Sequence, residues 1–371
     1  MLIRHARVFL PDGNFHETDV RFDTQIIETG ALSGEGVAAE GLYLIPGLVD
    51  LHTHGAMGED ASDGSLEALQ KMSAFCADNG VTSFLPTTMT LDEKTLTHAM
   101  QNVCAYPGEN GARVIGVRLE GPFLSAKRKG AQAAEFLHAP DVAFLERLQE
   151  ASCKRVRIVD IAPELPGAMD FIREASRLCS VSLAHSAADY DIAAEAFRNG
   201  ATQVTHLFNA MEPFLHRAPG IVGAAADANA YVEVIADGIH LHPAVVRAVF
   251  KLFDRVCLIS DSMRGAGLPD GEYSLGGQSV HVENGKCTLI DGTIAGSGIH
   301  LMTGLRRAVS FGIPLGHAVK SATMLPAEAI HMEHEIGVIA PGAHADLVLL
   351  DAELNIQGVY IGGKRWERAE N

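Results

Sequence analysis

The sequence predicts an α/β protein: a (β/α)8 TIM barrel with a small β-sandwich domain formed from the N- and C-terminal segments. Three observations predict it. Eight short apolar runs recur from about Leu44 onward, most of them separated by longer amphipathic segments. Polar residues of ligand type stand at the ends of several of these runs. The two ends of the chain read as strands and turns with no helical periodicity. The expected division is residues 1–43 with 344–371 as the β domain and 44–343 as the barrel.

At the N-terminus, LIRHARVFL and FHETDVRFD flank Pro11-Asp12-Gly13, a turn between two alternating runs. The barrel runs follow in order: LIPGLVDLHTH, VTSFLPTT, RVIGVRLEGP, RVRIVDIAPE, VSLAHS, TQVTHLFNA, YVEVIADGIH and VCLISDS. Runs this apolar are expected of parallel strands buried on both faces. The segments between them, such as SLEALQKMSAFCADNG and AAEAFRNG, have helical spacing and stop at Gly80 and Gly200. An open doubly wound sheet is the competing architecture. It would gather its polar residues at one switch point, whereas here they are spread over many run ends. After the eighth run, EYSLGGQSVHVENGKCTLI reads as a hairpin turning at Asn284-Gly285. Two helical segments are expected around 298–311 and 315–331. The closing ADLVLLDAELNIQGVYIGGKRW returns to strand patterns, and its expected partner is the N-terminal segment.

Composition narrows the function classes. The chain has 371 residues, of which 47% are hydrophobic, enough for a large core. A formal net charge of −17 repels nucleic acid and anionic membranes over most of the surface. It leaves room for an anionic small molecule in a locally positive pocket. No apolar stretch approaches a membrane span or a signal-peptide core, so a cytoplasmic protein is expected. Cys76, Cys104, Cys153, Cys179, Cys257 and Cys287 show no CxxC spacing and are expected to be reduced thiols.

In a barrel the C-terminal ends of the strands converge on one mouth, so residues ending the runs are expected to meet there. His52 and His54 close run one; two apart on a strand, they face the same side and can serve one metal ion. Glu120 ends run three, where a carboxylate is costly unless paired or metal-bound; a salt bridge to Arg118 is the ordinary alternative. His185 and His206 end runs five and six, and Asp261 ends run eight. Taken singly, each has a bland reading as a hydrogen-bonded histidine or a turn-capping aspartate. Taken together, six ligand-type side chains at one mouth predict a metal site. Arg217, in HRAPG, offers a planar fork suited to phosphate oxygens, with His216 and His240 as further donors. Lys127-Arg128-Lys129 is a second phosphate candidate, or else a solvated loop.

At these residues the sequence resembles the amidohydrolase superfamily and, within it, the branch of amino-sugar-phosphate deacetylases. PGLVDLHTHG, RLEGPFLSAKRKGAQ, LAHSAADY, VTHLFNAMEPFLHRAPG, IADGIHLHP, SDSMRGAGLPDGEY, GTIAGSGIHLMTG and GVIAPGAHADLVLLD fall in the family order over nearly the whole chain. The resemblance implies that Glu120, His185 and His206 hold a principal divalent metal. It also implies that His52 and His54, with Glu120 bridging and Asp261 nearby, hold a second. Zinc is expected first, with iron, cobalt or manganese as alternatives. Many superfamily members bridge their metals with a lysine on strand four; run four has no suitable lysine, and the resemblance gives the bridge to Glu120. It implies that Asp261 acts as general base and then general acid. It places Gln132, Asn209, the backbone of Ala210, Arg217, His240 and Ile299 at the substrate, some of them across the interface of a homodimer. Gln132 stands where single-metal members carry a histidine, and His300 stands where a smaller polar residue is expected.

The implied reaction removes the acetyl group from N-acetyl-D-glucosamine 6-phosphate. N-acetylgalactosamine 6-phosphate or another N-acyl amine is the alternative substrate. A non-catalytic sugar-phosphate binder on the same barrel is the alternative class, and a retained Asp261 speaks against it.

Overall fold

The computed structural model describes residues 1–108 and 110–367. All eight apolar runs form parallel strands: β1 (Leu48–Thr53), β2 (Val81–Thr88), β3 (Val117–Phe123), β4 (Val156–Ile161), β5 (Ser180–Leu183), β6 (Gln203–Val204), β7 (Tyr231–Ile235) and β8 (Val256–Ile259). Each pairs with its neighbour in sequence from β1 to β8. Between β8 and β1 the barrel is closed past the strand ends. There Asp261 N–H donates to His52 C=O at 2.9 Å and His54 N–H donates to Ser262 C=O at 2.8 Å. Asp50 braces this seam by accepting from the Ser260 N–H at 3.2 Å.

Eight helices surround the strands: α1 (Leu66–Asp78), α2 (Glu93–Ala105), α3 (Val142–Ala151), α4 (Ala168–Ala175), α5 (Tyr190–Arg198), α6 (Gly220–Asp227), α7 (Pro243–Leu252) and α8 (Leu301–Ser310). Ser65, Asp92, Asp141 and Asp189 start four of them, each side chain accepting from a first-turn N–H. The helices pack on the outer strand faces through residues such as Phe84, Phe123, Phe171 and Val234. Inside, Val49, Leu51, Leu85, Ile158, Ile235 and Ile259 form an apolar plug with Leu325, Ala327 and Ile330. The segment expected as one helix over 315–331 is instead α9 (Leu315–Ala322) and α10 (Met324–Ala329). Pro326 has no N–H and its ring opposes the carbonyl of Ala322, so a continuous helix is blocked there.

The terminal segments meet as expected in one sheet. Its order is Lys364–Arg365, Ile356–Ile361, Leu347–Leu350, Tyr43–Pro46, Leu2–Phe9, Phe15–Phe22, Ile26–Gly30. The two ends join where Leu347–Leu350 runs antiparallel to Tyr43–Pro46. Arg113, just before β3, ties this sheet to the barrel with two 3.1 Å bonds to Asp346. The predicted hairpin after β8 is present, and Asn284 and Gly285 both have the positive φ that its tight turn requires. It belongs to a four-stranded meander, Gly271–Leu275, Gln278–Glu283, Lys286–Thr288 and Ile294–Ser297, with a second turn at Gly276-Gly277.

Two details depart from the sequence reading. Glu120, expected at the end of run three, is not the end of β3: the strand continues through Gly121-Pro122, and Phe123 still pairs with Ile161 of β4. Cys104 and Cys153 form a disulfide with Cα atoms 5.3 Å apart, so only Cys76, Cys179, Cys257 and Cys287 are free. The pair is brought together by packing at the C-terminal ends of α2 and α3, which no local cysteine spacing reports.

His300 is the N-cap of α8. Its Nδ1 accepts from the Thr303 N–H at 3.3 Å, and its Nε2 lies 3.0 Å from Thr303 Oγ1. The cap requires an unprotonated Nδ1. Burial, and then Arg306, press the imidazole down to about 4. The folded state therefore binds this proton less readily than the unfolded chain, so stability is full above about pH 6.5 and falls as pH drops toward 4. The His300→Ser variant keeps a capping oxygen and removes the titration. Its loss of stability between about pH 7.5 and pH 5 should be smaller than the parent's by about 2 kcal/mol. Thermal or denaturant unfolding at the two pH values checks this.

Candidate metal centre and active site

Glu120 lies at the centre of the cluster. Its Oε1 is 3.0 Å from His185 Nε2 and 2.9 Å from His206 Nε2, and its Oε2 is 3.1 Å from His54 Nε2. His52 Nε2 stands 3.2 Å from His54 Nε2 and 3.7 Å from Glu120 Oε1. Two triplets suited to a metal ion thus share one carboxylate: His52, His54 and Glu120, and Glu120, His185 and His206. Asp261 Oδ1 is 3.4 Å from the Nε2 atoms of both His52 and His54. All six residues are buried.

The backbone explains how six strand-end residues converge. His185, His206 and Asp261 have φ values of +44°, +27° and +48°, where the chain turns out of its strand direction. L-residues adopt this region at a cost, and the surrounding bonds hold it. Asp261, for example, is pinned by its N–H to His52 C=O and by Ser297 N–H donating to its own carbonyl at 2.7 Å. Gly121, directly after Glu120, has φ +100°, and a Cβ there would fall 2.0 Å from Thr90 Oγ1. No other residue fits.

The donor set fits a divalent cation. His54 Nδ1 lies 3.1 Å from the Thr87 carbonyl, and His185 Nδ1 lies 3.0 Å from the Arg128 carbonyl. A carbonyl only accepts, so each Nδ1 carries a hydrogen, and in the neutral ring each Nε2 presents a lone pair. Those lone pairs face the Glu120 carboxylate, acceptor against acceptor, an arrangement that a positive ion between them stabilises. Without an ion, a proton on the ring is favoured in that place. Burial depresses the His54 imidazole, yet Asp261 and Glu120 raise it well above its usual range. Burial raises Asp261, yet His52 and His54 hold it near 2. The site draws in positive charge.

A cavity of about 370 Å³ opens on this cluster. Of the residues singled out in the sequence, His54, Glu120, Gln132, His185, His206, Asn209, Ala210, His240 and Asp261 line it. His52 is wholly buried beside His54. Lys127 and Arg128 also reach the wall, with Arg128 ion-paired to Glu212 at 2.7 Å. Two predicted substrate residues are not brought there. Arg217 lines a separate surface depression with Asp189, Glu212 and Leu215. Ile299 is buried, with its N–H 3.3 Å from Ser297 Oγ. His240 is gripped by Asp237 at 2.7 Å; burial lowers its pKa, but Asp237 raises it above the ordinary value. Gln132 is engaged at both ends. Its Oε1 accepts from Thr90 N–H at 2.8 Å and its Nε2 donates to Glu120 Oε2 at 2.5 Å, so it braces the shared carboxylate.

Sequence reasoning passed over Asp160 and Glu233 and offered Arg118 only as a partner of Glu120. Arg118 does not pair with Glu120; it is bonded to Asp160 of β4 and Glu233 of β7 inside the barrel. The signal was a charged residue within an otherwise apolar run, in RVRIVDI and YVEVI. The meander residues Leu275, Thr293, Ile294 and Gly296 also line the cavity; the last three lie in GTIAGSGIH, which only the family resemblance marks.

A parallel barrel whose C-terminal mouth carries buried histidine–carboxylate triplets that could hold a metal ion has the layout of a hydrolase. The chain belongs to the amidohydrolase family, whose sequence profile matches residues 43–366. It is 36% identical over 323 residues to N-acetylglucosamine-6-phosphate deacetylase of Bacillus subtilis strain 168, covering 84% of this chain and 82% of that protein. It is 36% identical over 327 residues to N-acetylgalactosamine-6-phosphate deacetylase of Escherichia coli O157:H7, covering 86% and 87% respectively. The crystal structure of N-acetylglucosamine-6-phosphate deacetylase from Pasteurella multocida superposes with a TM-score of 0.92 at 27% identity, over 98% of each chain.

If the cluster holds a divalent ion, that ion is linked to folding. Adding zinc to chelator-treated protein at about 100 times its Kd should stabilise the fold by about 2.7 kcal/mol, read as a rise in Tm. The His206→Ala variant should lose most of that rise.

Proposed function

We propose that this chain hydrolyses the acetamide of N-acetyl-D-glucosamine 6-phosphate to D-glucosamine 6-phosphate and acetate. The observation that carries the reading is the placement of Asp261 beside the histidine–Glu120 cluster, all facing one cavity whose wall also bears Lys127, Arg128 and His240. The deacetylase relatives support it over most of their length.

Glu120, His185 and His206 would hold one ion, and His52 and His54, with Glu120 and Asp261, would hold another. Zinc suits this nitrogen and oxygen set best, with iron, cobalt and manganese as alternatives. When bound, such an ion supplies Lewis acidity toward the acetyl carbonyl and makes water a better acid. Asp261 takes the proton from the attacking water and delivers it to the sugar nitrogen as the C–N bond breaks, so that acetate and the free amine leave. Gln132 keeps Glu120 in register through the reaction. Asp237 occupies His240 Nδ1, which leaves Nε2 to meet the substrate phosphate.

Arg217 fits this scheme through a second copy of the chain. It is exposed, next to the half-exposed Phe214 and Leu215 on the same loop, as expected of a segment that docks on a partner. A homodimer would carry this arginine toward a neighbouring cavity. Among the described residues no helix is long and apolar enough to cross a membrane. A cytoplasmic enzyme fits a charged sugar phosphate, which does not cross membranes unaided.

The galacto-configured substrate is the second reading. The E. coli N-acetylgalactosamine-6-phosphate deacetylase is as similar to this chain as the B. subtilis protein is, and the two sugars differ at one hydroxyl.

Acetate release should depend on both metal and phosphate. Unphosphorylated N-acetylglucosamine should lose about 100-fold in kcat/KM, the scale of one or two charge-assisted hydrogen bonds. Turnover of both sugars at equal rates would remove the phosphate assignment, and faster turnover of N-acetylgalactosamine 6-phosphate would favour the second reading. Asp261→Asn should lower kcat by about 10² to 10⁴ and leave substrate binding within a few-fold, as measured by single-turnover kinetics and calorimetry. Full activity in that variant would sink the mechanism.

A further inference from the structure

The barrel interior holds an ion cluster that the proposed reaction does not use. Arg118, on β3 and two residues before Glu120, is wholly buried. Its Nη2 donates to the Asp160 carboxylate at 2.9 and 3.1 Å and to Thr205 Oγ1 at 2.8 Å. Its Nη1 is bonded to Glu233 Oε1. The other carboxylate oxygen of Glu233 faces the candidate metal ligands, 3.5 Å from His52 Nδ1 and 3.3 Å from the His206 N–H.

Two features separate Glu233 from an ordinary buried ion pair. The first is charge. Asp160 already neutralises the single charge of Arg118, so Glu233 is a surplus anion in the core. Burying an uncompensated charge is costly, and among the described residues the basic group other than Arg118 that faces Glu233 is His52, itself a candidate metal ligand, 3.5 Å away at Nδ1. The second is geometry. His54 and His185 are each fixed by a backbone carbonyl at Nδ1, and at the same atom His52 has Glu233. A carboxylate in that place fixes the tautomer and also makes the imidazole a stronger donor at Nε2.

We propose that Glu233, locked by Arg118, is a positioning residue of the metal centre. It sets His52 with its Nε2 lone pair toward the ion and supplies the negative charge that the ion balances. Through His206 N–H it ties the two ligand triplets together from inside the barrel, as Glu120 does at the mouth. This rests on reading the cluster as a metal site.

The test uses full-length protein freed of metal with a chelator. Zinc affinity is measured by competition with a chromophoric chelator, zinc content per chain after dialysis, and Tm with and without zinc. Glu233→Gln keeps the size of the side chain and removes the surplus charge. It should weaken zinc binding by about 10- to 100-fold, with Tm of the metal-free protein unchanged or raised. Zinc affinity within about threefold of the parent's would overturn the proposal, whatever happens to stability. Glu233→Asp keeps the charge for Arg118 but withdraws it from His52, and it too should bind zinc more weakly; parental affinity there would also overturn the proposal. If neither variant folds, Glu233 serves the barrel and the proposal fails. If the parent itself binds no zinc or other divalent ion, the metal-centre reading fails first.

Discussion

The Glu120 carboxylate organises the mouth of the barrel. Two buried oxygens face four imidazole nitrogens within 3.7 Å, and at least two of those rings are oriented by carbonyls that accept from Nδ1 behind them. Such a cluster is unfavourable as a set of neutral groups and favourable round a cation. Gln132 bonded to one oxygen, Gly121 leaving room for Thr90, and the left-handed turns at His185 and His206 all maintain that convergence.

Barrel closure and the site are the same piece of structure. β8 and β1 do not share a strand ladder; they are joined by bonds made by Asp261, His54 and Ser262 just past their ends. The residues that close the barrel are thus themselves candidate ligands or their immediate neighbours. A perturbation of this seam reaches the site without passing through any intermediate element. The apolar plug below, with Leu325 and Ile330, leaves the mouth as the open end.

Acidity is distributed to the same purpose. A chain with net charge −17 carries several of its carboxylates buried, Asp50, Glu120, Asp160, Glu233 and Asp261 among them, around one buried arginine. The basic residues that reach the cavity, Lys127 and Arg128, come from the loop after β3. The cavity thus presents anionic ligands at its floor and basic groups on its wall, which matches a substrate bearing an amide at one end and a phosphate at the other.

The eight strands and the six-residue cluster were legible in the sequence because both rest on local facts. A strand buried on both faces must be apolar along its length, and a barrel brings the ends of such strands to one mouth, so His52, His54, Glu120, His185, His206 and Asp261 could be placed together without coordinates. The tertiary structure alone decided the partners of side chains whose neighbours come from distant strands or loops. Gln132, on the cavity wall, also braces Glu120, and Arg118 turned from a partner of Glu120 into the partner of Asp160 and Glu233. Cys104 met Cys153, and Arg217 stayed outside the cavity of its own chain. Periodicity fixes which way a residue points from its own element; which side chain it meets depends on the stagger and packing of elements far apart in the chain, and no local pattern encodes that.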